Sequence, residues 1–334
     1  MGETRPLIAL FMASGTLPSR ASHRTETVRY APWRSGRERM TGEELIAALP
    51  ELNASARIEI AAGNPHANAT PVDLVKLAAA MDAALARPDV DGAVLIQGTN
   101  NLEETAFFLT LTLATEKPVV VTGAQRPFTA LSTDGPANLI DAMRVATNAD
   151  ARGKGVLVVA NNEIYSARDV TKTSTYRVHT FRGRDLGPLG FADADRIAFF
   201  HAPVRTHTAA SMFRVAADTI MPRVDVVYVH AGASGDLASA AVSLGAQGLV
   251  IAGSGAGAAA DMRDTLVGLQ REHGTVVVRS SRVGEGRVLR DDNWQEPGMI
   301  AADNLNPQKA ALLLGLAMTV TRDPDRIQAF FDNY

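Results

Sequence analysis

What the chain lacks narrows its chemistry before any motif is read. It has no cysteine, which excludes disulfides, thiolate metal sites and a cysteine nucleophile. Its seven histidines are scattered without ligand spacing, so no metal is expected. The formal net charge is only −3, and nothing in it points to nucleic acid. No apolar run reaches membrane-spanning length, so no membrane partner is expected. The apolar stretch Leu7–Ala13 after Arg5 is too short for a signal-peptide core plus a cleavage site, and the expectation is a soluble cytoplasmic protein. No G-x-G-x-x-G opens a helix after the first strand. The run Gly253–Gly257 comes too late and lacks the third glycine at its place, so a dinucleotide is not expected and no other cofactor is implied. Aromatic residues make up 5% of the chain. The apolar content rests instead on small and branched aliphatic side chains, which suit helices packed closely on a parallel sheet.

What is present alternates between buried strands and helices. Pro6–Met12, Ile58–Ala62, Gly92–Ile96, Pro118–Thr122 and Gly155–Ala160 read as strands, several as unbroken apolar runs. Helices open at Thr41 with Glu44 three residues on, at Thr70-Pro71, after Thr99 and at Asp134. The order implies an α/β chain: a large N-terminal doubly wound, mostly parallel sheet domain over 1–200. A linker is expected at 201–221, followed by a smaller C-terminal α/β domain over 222–334. In that domain Val224–His230, Gly248–Ala252 and Thr275–Arg279 read as strands, and Asn306-Pro307 and Asp323-Pro324 open the last helices. Two stretches resist this reading. Ser19–Met40 is arginine-rich, with Tyr30 and Trp33 between the charges, and is too long for an ordinary connection. Asn162–Phe191 reads as polar and irregular.

Two strands end alike, in Gly15-Thr16 and Gly98-Thr99. A hydroxyl on such a turn, beside backbone N–H groups, can act as a nucleophile with an oxyanion site at hand. It needs help to lose its proton. Lys172, set among hydroxyls in Asp169–Thr175, becomes a base if burial keeps it neutral. From composition alone, turn threonines and a solvated lysine are the commoner explanation of these residues.

Ala13-Ser14-Gly15-Thr16-Leu17 resembles the T-G-G-T-I block of the bacterial L-asparaginase and glutaminase-asparaginase family, and Gly98–Leu109 resembles its H-G-T-D-T-M-E-E-T-A block. Gly123–Pro127 with Asp134–Leu139, Arg168–Thr173, Arg279–Val283 and Asn304–Ala310 extend the likeness almost end to end. The resemblance implies a threonine amidohydrolase acting on a small amide. It also implies a homotetramer in which a neighbour's small domain completes each site. Carried over residue by residue, Thr16 is the nucleophile that forms an acyl-enzyme, with Thr99 and Lys172 beside it. Tyr30 is the lid tyrosine, one position out of the family's spacing. Gly15 and Gly98 lie at the substrate, as does Asn64 in the loop Gly63–Asn68. Asp291 or Asp292 is the carboxylate offered to a neighbour.

Departures from the pattern gather at the pocket for the substrate's amino-acid end. Asn100 stands where the family has an aspartate facing the α-ammonium, and Ala256 stands where it has an asparagine. A neutral amide offsets a desolvated ammonium only in part. Two enzymatic readings follow: hydrolysis of L-asparagine or a related small amide, or the same machinery on an amide, ester or lactone without a free α-ammonium. A non-catalytic binding protein of the same fold is the third, and intact Thr16, Thr99 and Lys172 argue against it.

Overall fold

The computed structural model describes residues 5–31, 38–61, 70–290 and 298–334. The chain divides into two compact units, Met1–Thr219 and Ile220–Tyr334. The first contains β1 (Leu7–Met12), α1 (Gly42–Ala48), α2 (Leu52–Ser55), β2 (Arg57–Ile60), α3 (Pro71–Leu85), β3 (Gly92–Ile96) and α4 (Leu102–Thr112). It continues with β4 (Val119–Thr122), α5 (Gly135–Ala146), β5 (Val156–Ala160), β6 (Glu163–Ser166), β7 (Thr171–Lys172), β8 (Phe181–Arg182), β9 (Gly190–Ala192) and β10 (Ile197–Phe199). Eight of these strands form one sheet in the order β10-β9-β6-β5-β4-β3-β1-β2. From β2 to β5 the pairing is parallel, and β6, β9 and β10 extend it antiparallel.

Burial explains the runs read from the sequence. Every residue of β3, β4 and β5 is buried, so these strands cannot alternate apolar with polar. Each enclosed Val, Leu or Ile contributes about 1.5–3 kcal/mol. Helix α4 is buried along nearly its whole length, which is why it too lacks a polar face. Helix starts are secured locally. Thr41 and Glu44 form a reciprocal capping box on α1, and Thr70 caps α3 ahead of Pro71.

Two stretches differ from expectation. Asn162–Phe191 is not irregular: it contains β6 to β8 and the start of β9. These strands are two to four residues long, too few positions for a period of two to show. Within the stretch read as a linker, a 3₁₀ turn at Thr208–Ala210 precedes buried Ser211, whose hydroxyl donates to the carbonyl of Leu111 in α4.

The second unit contains β11 (Val224–Tyr228), α6 (Asp236–Ser243), β12 (Gly248–Gly253), α7 (Arg263–His273), β13 (Val276–Ser281), β14 (Ile300–Ala301), α8 (Pro307–Met318) and α9 (Pro324–Asn333). Its four strands run parallel in chain order. The two-part α/β architecture is the one the sequence implies: a large, mostly parallel sheet and a smaller C-terminal α/β unit. Among the described residues no helix is long and apolar enough to cross a membrane.

Candidate active site

The first connection of the large sheet carries the chain from β1 outward to β2. The next returns it to the other side of β1, as β3. The carboxyl ends of β1 and β3 therefore flank a topological switch point, the crevice where open α/β sheets bind ligands. Two backbone bonds stitch these ends together. The amide of Ala13 donates to the carbonyl of Ile96 (2.8 Å), and that of Gly98 donates to Ser14 (2.9 Å). Contact is so close that a Cβ on Gly15 would lie 2.6 Å from the nitrogen of Gly98. Each glycine is followed at once by a threonine, so Thr16 and Thr99 leave this junction side by side in the chain path. Both are buried, at 7% and 5% exposure.

Each threonine hydroxyl has a polar partner. The Thr16 Oγ1 and Tyr30 OH are 2.7 Å apart. The turn beneath Thr16 is closed by Ser19, whose amide donates to Thr16 O (3.0 Å) and whose hydroxyl donates to Gly15 O (2.7 Å). On the other side, Lys172 Nζ donates to Thr99 Oγ1 at 2.7 Å. Lys172 sits on β7, paired in register with buried Phe181 of β8, which holds its backbone in place.

The electrostatics of Lys172 follow from its surroundings. Burial holds its ammonium below the usual lysine range, and the Glu103 carboxylate opposes that shift. Glu103 lies in the first turn of α4, where an acidic residue suits the helix dipole. It also accepts the Lys172 backbone N–H on Oε2 (3.1 Å). The sequence marks Glu103 only as a helix-start residue; its second role depends on a partner 69 positions away. Neither Thr99 nor Asn100 caps α4, whose N-cap is Asn101.

The structure thus pairs Thr16 with Tyr30 and Thr99 with Lys172, and packs Gly15 on Gly98. Asn100 is exposed beside Thr99. Ala256 lies in the second unit, on an exposed turn between Gly255 (φ 51°) and Gly257 (φ 85°). Asn64, Trp33, Asp291 and Asp292 lie outside the described residues.

Comparison with known proteins identifies the family. Residues 7–205 match the family described as "Asparaginase, N-terminal", and residues 223–331 match the "Glutaminase/Asparaginase C-terminal domain". The chain is 41% identical to L-asparaginase 2 of Bacillus subtilis, over 98% of its own length and 87% of that protein's. It is 36% identical to the glutaminase-asparaginase of Acinetobacter glutaminasificans, over 98% and 99% of the two chains. The crystal structure of a probable cytoplasmic L-asparaginase from Campylobacter jejuni superposes with a TM-score of 0.92 at 37% identity, covering 99% of this chain and 100% of that one. The chain belongs to the asparaginase family and is a hydrolase of the C–N bond of linear amides.

Proposed function

We infer that the protein releases ammonia from a small amide by way of an acyl-enzyme on Thr16. One observation carries the reading: two buried threonine hydroxyls leave a single glycine junction, and a half-buried amine lies on one of them. Thr16 Oγ1 attacks the amide carbonyl carbon while Tyr30 holds the hydroxyl in place. Backbone amides of the two threonine turns meet the developing oxyanion, that of Gly98 excepted because it already donates to Ser14 O. Lys172, in its neutral form, takes a proton through Thr99 and returns one to the departing ammonia. Water then attacks the ester and frees Thr16. Asn64 contributes a contact to the substrate in this reading.

Relatives are named for asparagine and for glutamine with asparagine, and L-asparagine is the first substrate to test. Asn100 favours a second reading on the same machinery. It is exposed at the mouth of the site, next to Thr99, and carries no charge to meet an α-ammonium. An amide lacking that group then fits at least as well as asparagine. Ammonia release from asparagine and from succinamate separates the two. A kcat/KM a hundredfold or more in favour of asparagine sinks the second reading. Failure of Thr16→Ala to abolish both activities sinks the mechanism.

The assembly belongs to the same inference: a homotetramer, acting in the cytoplasm, in which Asp291 or Asp292 of a neighbour meets Tyr30. Mixing inactive Thr16→Ala with a variant inactivated at Asp291 and Asp292 then restores part of the activity. No recovery removes the shared site.

A further inference from the structure

We propose that a cavity of about 480 Å³ between the segment after Thr16 and the β4–α5 loop is a carboxylate-binding subsite. Its wall includes Arg24, Thr25, Thr27, Gln125, Arg126 and Tyr176, and no carboxylate lines it among the described residues. The volume falls in the range of small-molecule sites, about 300–1,000 Å³.

The cavity is built between two segments tied to each other. The Phe128 amide donates to Ser19 O (2.9 Å), that of Ala21 to Thr129 Oγ1 (2.9 Å) and that of Leu131 to Arg24 O (2.8 Å). Arg126 is aimed by its own turn: NH1 donates to the carbonyl of Ser132 (2.7 Å), a residue held at φ 50°. Arg24 has no hydrogen-bond or ion-pair partner for its guanidinium among the described residues. Gln125 is 7% exposed, and its Nε2 is buried with no hydrogen-bond partner among the described residues. A buried donor left unpaired costs about 1–3 kcal/mol, and an acceptor reaching this side chain would offset that cost.

The acidic groups nearest in sequence are engaged by backbone amides, and among the described residues neither forms an ion pair with Arg24 or Arg126. Glu26 accepts from the amides of Val28 (2.8 Å) and Arg29 (2.7 Å). Asp134 accepts from the amides of Gln125 (2.8 Å) and Arg126 (2.9 Å) and from Asn138 Nδ2 (3.2 Å). Two guanidinium groups and an unpaired amide donor, with hydroxyls around them, fit a carboxylate, the planar acceptor that arginine grips best.

The segments that line the cavity also carry residues of the candidate active site. Tyr30 ends the segment that carries Arg24 and Thr27. Gly123, where a Cβ would lie 3.3 Å from Thr99 Cγ2, is two residues before Gln125. Tyr176 is four residues after Lys172. A carboxylate held here is either the distal end of an amide substrate or a free anion beside the site. The substrate arm rests on the function proposed above; the binding arm does not.

The test uses succinate as probe, titrated calorimetrically into the intact protein, its Arg24→Gln variant and its Arg24→Lys variant. Loss of one guanidinium–carboxylate pair weakens binding about tenfold in Arg24→Gln, with partial recovery in Arg24→Lys. Equal affinities in all three, within about twofold, overturn the proposal, and they do so whether or not the protein hydrolyses any amide. Mono-amides of succinic, glutaric and adipic acid then identify the source. A KM raised by Arg24→Gln for one of these and not for propionamide assigns the cavity to the substrate's far end. A shift common to all of them, alongside weaker succinate binding, assigns it to a free anion.

Discussion

The side-chain amine of Lys172 lies 2.7 Å from the Thr99 hydroxyl, although 73 positions separate the two in sequence. Half-buried and next to that hydroxyl, the lysine is placed to exchange a proton, and burial lowers the pH at which it does so. Lys172→Met removes the proposed base without adding volume. Its kcat is expected to fall about 10²–10⁴-fold. If Lys172 is the base, kcat of the unaltered protein is expected to rise with pH as the amine deprotonates, and Lys172→Arg, always charged, to lose that rise.

The same lowered pKa makes a stability prediction. The unfolded chain holds the Lys172 proton more tightly than the folded one, so stability rises with pH between the folded value and the ordinary 10.5. Urea denaturation near neutrality and near about pH 10 should show the advantage of Lys172→Met over the parent shrinking as pH increases. An advantage that grows instead reverses the sign of the shift.

Glu103 opposes the effect of burial on Lys172. Glu103→Gln keeps the shape and removes the charge. The rising limb of the kcat–pH profile is then expected to move to lower pH, with KM little changed. A limb that stays in place separates Glu103 from the lysine.

Tyr30→Phe deletes the 2.7 Å hydrogen bond between Tyr30 and Thr16. The expected loss is about 1 kcal/mol, roughly five- to tenfold in kcat. Tyr30 is only partly buried, so its removal should leave the melting temperature close to that of the parent. Steady-state kinetics and calorimetry on the same variant read both.

Gly15 and Gly98 allow the two threonine turns to meet. Gly15→Ala places a methyl 2.6 Å from a backbone nitrogen, where nothing flexible can yield. Such overpacking costs about 1–3 kcal/mol, read as a lower urea midpoint, and activity falls with it because both turns shift. Gly98→Ala meets Ser14 O at 3.1 Å and is expected to be milder.

Asn100→Asp restores a charge beside Thr99. If the missing carboxylate is what weakens asparagine recognition, a charged hydrogen bond of about 1.5–3 kcal/mol raises kcat/KM for asparagine about 10- to 100-fold. The same change lowers it for succinamate. No gain for asparagine shows that Asn100 does not set this preference.

The sequence by itself determined whatever is encoded by near neighbours. Val94, Leu95 and Ile96 form a buried strand because three consecutive apolar side chains suit a layer covered on both faces. Thr41 with Glu44, Thr70 with Pro71, and Asn306 with Pro307 start helices because a cap and its amide lie within one turn. The glycine–threonine blocks, and through them the family, were legible in the same way. Tertiary structure decided what depends on distant pairs. Residue counting put Tyr30 one position out of step, yet the loop absorbs the difference and delivers its hydroxyl to Thr16, since a loop's path is set by where it is pinned rather than by its length. The strands β6 to β10 were hidden because two to four residues carry no period and gain their hydrogen bonds only from partners across the sheet. Glu103 became a partner of Lys172, and Gln125 was left with a buried donor and no acceptor, because burial and hydrogen bonding are properties of the packed chain and not of any one stretch of it.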